Sequence, residues 1–305
     1  MPKQQFVWLD GKMVKFEDAN IHILTHSLQY GSGIFEGIRC YRTAEGPEVF
    51  RLDDHLKRFL NSAKIYRMPV KFNAKELKEG IKSIITKNGL TEAYIRPFIF
   101  YNDIGIGFNT KGKSTSIAIA AIPFGSLFGQ AGESKGIRCQ VSSWLRINSS
   151  TLPVEAKASG NYLNSIIASI EANESGYDEA ILMSSSGKVA EGPGENIFIV
   201  QDGTLITPPK SSDILLGITR DTIIKVAREM NIPVNERDIK REELYISDEV
   251  FFSGTAAEIT PIISVDSRKV GDGRPGPMTN ALSSRYSRIV NGEDKKFRDW
   301  LTFVN

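Results

Sequence analysis

The stretch PFGSLFGQAGESKG, residues 123–136, is rich in glycine and small residues, and the apolar segments on both sides of it are short and mostly strand-like. At 305 residues the chain exceeds the comfortable size of one hydrophobic core, so this interruption reads as a connection between two domains. The sequence predicts a small domain over 1–123, a connection over 124–135 and a larger domain over 136–305.

Within the first domain, FVWLDGKMVKF predicts a hairpin turning at Asp10-Gly11. LDDHLKRFLNSAKIYRM, residues 52–68, carries Leu56, Phe59, Leu60, Ala63 and Ile65 at roughly helical spacing, with Asp53 or Asp54 as the expected N-cap. A second helix over 74–87 should stop at Asn88-Gly89, and AYIRPFIFY and STSIAIAAIPF read as strands. In the second domain, IRCQVSSWLRI, EAILMSS, NIFIV and EVFFSG read as strands and TRDTIIKVAREM as a helix. Residues 161–173 place Leu163, Ile166, Ile167 and Ile170 on one face of a further helix.

Several function classes are excluded early. A net charge of +2 with the two signs interspersed leaves no basic run for nucleic acid or an anionic membrane, and no apolar run approaches a membrane span. Small molecules are the expected partners. The first residues show no apolar signal core, and with only Cys40 and Cys139 available for a disulfide the expected location is cytoplasmic. His22 and His26 lack a nearby third ligand, so no metal is expected and the histidines are read as structural.

GFNTKGKS, residues 107–114, fits a phosphate-binding loop in which Lys113 reaches terminal phosphates and Ser114 holds magnesium. Such a loop must open a helix, whereas SIAIAAIP follows here, a strand-like run ending in proline. ATP binding is therefore set aside in favour of a hairpin loop. GSGIFEG has one residue too many for a dinucleotide fingerprint, and no G-x-S-x-G elbow occurs.

The promising chemistry lies further on. Lys157, in EAKASGNYL, has only small neighbours to crowd an approaching planar ligand. GITRD places Gly217 and the amides of Ile218 and Thr219 at a helix start, which favours a phosphate. SGTAAEITP offers small-residue amides and the Thr255 hydroxyl after a strand, and AEGPGENIF sets Glu191 on a tight turn. Each has a bland equivalent as a turn or a loop; together they describe a phosphorylated ring held at both ends.

YGSGIFEGIRCY, HLKRFLNSAKIYRMP, AYIRPFIF, AKASGNYLNS, AEGPGENIF, LLGITRD and FFSGTAAEITP, in that order, resemble the class IV pyridoxal-phosphate aminotransferases, and among them the branched-chain amino-acid aminotransferases. The resemblance runs from about Trp8 to just beyond Pro277. It implies a two-domain chain of mixed α+β / α/β class with the D-amino-acid aminotransferase-like architecture, fold type IV. The small N-terminal domain would be α/β, and the larger C-terminal domain would enclose a β-barrel-like core.

It also implies a cofactor, pyridoxal 5'-phosphate, carried covalently by Lys157, which then moves the substrate Cα proton. Glu191 would face the pyridine nitrogen, Tyr162 the phenolic oxygen, and Arg58, Ile218, Thr219 and Thr255 the phosphate. Tyr30, Phe35, Gly37 and Tyr94 match pocket residues, with Thr255 and Ala256 near the α-carboxylate and Arg96 for the distal carboxylate of glutamate. Relatives often have a tyrosine in the interdomain loop beside that arginine; this chain has Leu127 and Phe128 in GSLFG. The loop with Gly107 and Phe108 would reach into a neighbouring subunit's pocket, so a homodimer is the smallest expected unit. The implied reaction is transamination of Leu, Ile and Val with 2-oxoglutarate; a D-amino-acid or (R)-amine aminotransferase and an aminodeoxychorismate lyase share the fold.

Overall fold

A computed structural model describes residues 5–125, 127–129 and 135–304. The chain divides into two compact units, one made of Met1–Phe124, Ala156–Gly160 and Arg288–Asn305, the other of Gly125–Glu155 and Asn161–Ser287. The first unit thus takes in 156–160 and 288–305 from beyond its first break after Phe124. Their burial is set by backbone pairing, which a linear reading of composition does not detect. Much of the predicted connection over 124–135 lies outside the described residues.

The first unit is built on an eight-stranded sheet in the order Leu301–Phe303, Gly46–Phe50, Ile38–Thr43, Ala93–Tyr101, Thr115–Ile122, Phe6–Leu9, Lys12–Lys15, with Gly33–Phe35 also paired to Ala93–Tyr101. The hairpin turn is where the sequence puts it, with Asp10 and Gly11 both at positive φ, the conformation that matches strand twist. Ala93–Tyr101 buries Ala93, Ile95, Pro97 and Ile99 alternately. Helices Leu52–Ile65 and Ala74–Lys87 close that core with Leu52, Leu56, Phe59, Leu77, Ile81 and Ile84.

Neither Asp53 nor Asp54 caps the first of these helices. The cap is Arg51, in the left-handed region, because the chain must turn sharply out of strand Gly46–Phe50. Both aspartates fall in the first turn, where the helix dipole still favours them, and Asp54 accepts from Arg51 Nε at 2.6 Å.

A proline in a central strand normally removes a ladder bond. Pro97 sits where the neighbouring strand is interrupted: Phe35 pairs Phe98 and Ile38 pairs Ile95, leaving Glu36 and Gly37 between. The break frees Glu36 to turn its side chain inward, with consequences described below.

In the second unit, nine strands form one sheet, and six of them close into a ring. Val189–Glu191, Glu179–Met183, Ile137–Leu145, Glu258–Val265, Glu249–Gly254 and Asn196–Gln201 follow one another, and Glu191 pairs Asn196 to complete the circuit. Closure removes the exposed edges. Alternate residues, among them Ile137, Cys139, Val141, Ile181, Ile197, Ile199, Val250 and Phe252, form one core cluster. The other set, Ala180 and Leu182, meets Ala168 and Ala172 of helix Tyr162–Glu174.

That helix lies differently from its apolar pattern. Leu163, Ile166, Ile167 and Ile170 are exposed by 65, 52, 36 and 50 %, while Ser165, Ala168 and Ala172 are buried. Small side chains let the helix approach the strands closely, and the large apolar ones point away. No helix among the described residues is long and apolar enough to cross a membrane. Cys40 and Cys139 are free thiols, each buried in its own unit, and burial pushes the Cys40 thiol up to about 12.

Candidate active site

The first unit gathers Lys157, Arg58, Glu36, His55, Phe35, Tyr94 and Arg96. Segment Ala156–Gly160 is stitched onto it by backbone: Phe35 N donates to Lys157 O at 3.0 Å, Lys157 N donates to Ser62 Oγ at 3.0 Å, and Ala158 bridges Ile34. Gly160 N donates to Gly31 O, and the two glycines cross so closely that a Cβ on Gly31, at φ +64, would lie 3.3 Å from Gly160 Cα. The small neighbours of Lys157 therefore serve backbone docking, with Ala156 and Ala158 buried. The lysine itself is half-buried, its ammonium 5.1 Å from the centre of the Phe35 ring.

Arg58 is held by a residue that sequence reasoning missed. Its Nε donates to Glu36 Oε1 at 2.6 Å and its Nη2 to Oε2 at 2.9 Å, a bidentate fork on a carboxylate with no solvent exposure. His55 Nδ1 bonds Oε2 at 2.7 Å and Gly37 N donates to the same oxygen at 3.2 Å. Burial pulls Glu36 toward the neutral form, but the Arg58 and His55 interactions outweigh it and hold the carboxyl far below its ordinary range. His55 is pushed down chiefly by burial, further by Arg58 and Lys157, and against the pull of Glu36. The imidazole is thus neutral near pH 7 and donates from Nδ1. Glu36 fixes the arginine fork in place.

Phe35, Gly37, Tyr94 and Arg96 form one cluster. The Arg96 guanidinium lies 4.6 Å from the Phe35 ring centre and 5.3 Å from that of Tyr94, and a Cβ on Gly37 would lie 1.9 Å from Tyr94 Oη, so any larger residue there would displace the Tyr94 side chain. Tyr30 belongs to a different group: its hydroxyl accepts from Gly107 N at 3.1 Å and its ring meets Phe108, which is 86 % exposed. His26 is buried there between Ser32 Oγ and Gly107 O, a structural histidine as expected. The GFNTKGKS stretch ends against Asp103, whose carboxylate accepts from Ser114 N at 2.6 Å, and strand Thr115–Ile122 follows. An anion has no place beside that carboxylate, and no helix opens there.

In the second unit Glu191 sits at the seam that closes the strand ring. Arg146 Nε donates to Oε1 at 2.6 Å, and Asn196 Nδ2 and Leu215 N each donate to Oε2 at 3.1 Å. Both partners of the ion pair are buried. Gly217 is the N-cap of helix Ile218–Glu229, and no side chain caps that end, which leaves an open helix start at Ile218 and Thr219. A Cβ on Gly217 would lie 2.0 Å from Asn196 Oδ1. Gly217→Ala is accordingly expected to displace Asn196, loosen the Glu191 carboxylate and destabilise the fold by about 1–3 kcal/mol, read by thermal unfolding. An unchanged melting midpoint would mean that Asn196 moves freely.

Thr255 and Ala256 are half-buried at the tip between Glu249–Gly254 and Glu258–Val265, and Tyr162 opens helix Tyr162–Glu174. Leu127 is exposed and Phe128 packs on the second unit's core, so neither replaces a tyrosine hydroxyl. The first unit holds a half-buried amine and a pre-oriented guanidinium, and the second an uncapped helix start and a buried, hydrogen-bonded carboxylate, each a kind of group that a phosphorylated pyridine aldehyde would engage. Among the described residues no group of histidine, cysteine and carboxylate side chains suits a metal.

Comparison with known proteins agrees with this chemistry. Residues 33–265 match the family model for amino-transferase class IV. A branched-chain-amino-acid aminotransferase of Escherichia coli K12 is 49 % identical over 304 residues, spanning 99 % of this chain and 98 % of its own. A crystal structure of the Escherichia coli enzyme superposes with a TM-score of 0.97 at 49 % identity, covering 99 % of this chain and 100 % of the other. The branched-chain amino acid aminotransferase from T.th., complexed with N-(5'-phosphopyridoxyl)-L-glutamate, superposes at 0.95, with 41 % identity over the whole of both chains.

Proposed function

From the premise that this chain belongs to the class IV aminotransferases, we propose that it exchanges amino groups between branched-chain L-amino acids and 2-oxoglutarate, using pyridoxal 5'-phosphate. The observation that carries the reading is the full-length likeness at 49 % identity combined with a donor set that fits this cofactor. When bound, the cofactor supplies an aldehyde that condenses with amines and a ring that takes up the electron pair left at the substrate Cα.

The chain's own groups divide the remaining work. Lys157 would hold the cofactor through its amine, and that amine, once free, would serve as the base that moves the substrate Cα proton. Arg58, steadied by Glu36, the amides of Ile218 and Thr219, and Thr255 would bind the phosphate. Tyr162 would bond the phenolic oxygen. Glu191 would serve the pyridine nitrogen and favour its protonated form. Thr255 and Ala256 would orient the α-carboxylate, while Phe35, Gly37 and Tyr94 would line an apolar space in which each buried methylene contributes about 0.8 kcal/mol, and Tyr30 would belong to the same pocket together with its neighbour Phe108. Arg96 leaves its place over Phe35 to meet a distal carboxylate.

Association into a homodimer is part of the same reading. Ile104, Ile106 and Phe108 in the first unit and Leu163, Ile166 and Ile170 in the second are large apolar side chains left exposed by a single chain. Phe108 would then complete the partner's pocket. A cytoplasmic location is supported by the two cysteines remaining as buried thiols.

The test is to follow the cofactor's absorbance as L-leucine, D-alanine or an (R)-arylamine is added in separate reactions. Conversion by L-leucine first, reversed by 2-oxoglutarate, is expected; preference for either of the others would reassign the enzyme within its family. Glu191→Gln should reduce turnover by about 100-fold while losing much less cofactor, because the hydrogen bond persists and the charge does not. Near-normal turnover would remove Glu191 from the ring nitrogen.

A further inference from the structure

Arg146 has no part in the donor set just described, yet it makes the shortest contact to Glu191. Its Nε stands 2.6 Å from Oε1, and the two side chains are 7 and 6 % exposed. Unpaired, a carboxyl buried this deeply takes up a proton to escape its desolvation. A guanidinium in contact removes that incentive. Asn196 and Leu215 meanwhile fix the other oxygen, so the carboxylate is held in rotation as well as in charge.

A purely structural tie would be built differently. Arg146 Nη1 is buried and, among the described residues, has no hydrogen-bond partner. Leaving a buried donor unmade is unfavourable, and apolar residues of similar volume commonly replace a buried ion pair without loss of stability. A guanidinium kept under those conditions is explained by what its charge does to its neighbour.

We infer that Arg146 is a positioning residue that keeps Glu191 ionised, so that the proton shared between Glu191 and the cofactor's pyridine nitrogen rests on the ring. The inference depends on Glu191 serving that nitrogen. Arg146 acts through its contact with Glu191 Oε1. Without it Glu191 becomes a neutral acid, donates its own proton to the ring nitrogen as a hydrogen bond, and the ring loses its positive charge and much of its capacity as an electron sink.

The experiment uses holoenzyme reconstituted with cofactor labelled with 15N in the ring and reads the nitrogen chemical shift at neutral pH, which separates pyridinium from pyridine independently of turnover. In the unsubstituted enzyme the signal is that of pyridinium. Arg146→Met moves it to the unprotonated position and lowers turnover about 10- to 100-fold, the scale on which partners of a catalytic ligand act. Arg146→Lys, which keeps the charge, restores the pyridinium signal, whereas Arg146→Gln, neutral but hydrogen-bonding, does not. That pair separates charge from shape even if the methionine variant does not fold. Combining Arg146→Met with Glu191→Gln gives no further loss beyond Glu191→Gln alone, because both remove one charge.

A pyridinium signal retained in both Arg146→Met and Arg146→Gln, with Glu191→Gln shifting it, would overturn the role of Arg146 and leave Glu191 in place. A signal unmoved by Glu191→Gln would overturn the Glu191 assignment and this inference with it.

Discussion

Lys157→Ala is expected to lower transamination by at least about 10⁴-fold, since it deletes the covalent attachment and the base together. The structure sharpens the expectation, because the backbone of Lys157 is tied by its own carbonyl to Phe35 and by its amide to Ser62, contacts that alanine keeps. The variant should fold with an unchanged melting profile and differ only in chemistry. Borohydride reduction of the unsubstituted enzyme followed by peptide mapping places the cofactor on the same residue. Label on another lysine, or activity within tenfold of the original, removes Lys157 from its role.

Glu36→Gln should have the largest effect on stability. It leaves the Arg58 guanidinium, 14 % exposed, without its counter-charge, and breaking a buried pair of this kind costs about 3–5 kcal/mol. In a thermal scan this is a fall of about 10 °C. The acid limb should change too. A carboxyl whose folded value is depressed adds stability above its ordinary value of 4.5, and that stability drains away as the pH falls through the folded value. The depressed His55 acts in the same direction, resisting the proton it would take up in the unfolded chain below pH 6.5. The original enzyme should therefore lose stability in two stages, below about 6.5 and again below about 4.5, and Glu36→Gln should weaken the second, to which the depressed Glu171, Glu243 and Asp266 still contribute. An acid limb identical to that of the unsubstituted enzyme would sink this account. Cofactor affinity should weaken alongside, as Arg58 loses its fixed orientation.

The hairpin at Asp10-Gly11, helix Ala74–Lys87 ending at Asn88 and most strands were legible because local periodicity and turn residues carry them. Ring closure came through the family resemblance, which implied a β-barrel-like core, and not through pattern, since the pairing of Glu191 with Asn196 leaves no periodic mark. Helix Tyr162–Glu174 shows the limit of pattern reading: its apolar stripe marks a face, and small residues on the opposite face decided which side packs. Lys157 and Glu191 stood out by their small-residue and glycine-rich settings, while Arg58 and the roles of all three came from ordered motifs resembling a known family. Their holders, Glu36 and Arg146, went unremarked, although each is a charge within or at the end of an apolar strand run, GIFEGIRC and VSSWLRI. Such a charge is costly unless paired, and that is the signal a single sequence offers.

The chain passes from one unit to the other four times, after Phe124, Glu155, Gly160 and Ser287. During synthesis from the N-terminus, the first unit therefore cannot be finished before the second has been made. Strand Leu301–Phe303 pairs Gly46–Phe50 across some 250 residues, and Arg298 joins Glu48 over the same separation. Until that strand arrives, Gly46–Phe50 presents an unpaired edge on a half-made sheet, the kind of surface that chaperones shield and that promotes aggregation. Chains truncated shortly before residue 301 should thus carry a complete barrel and an open sheet, and a cut in the connection near residue 125 would not release two independently folding fragments.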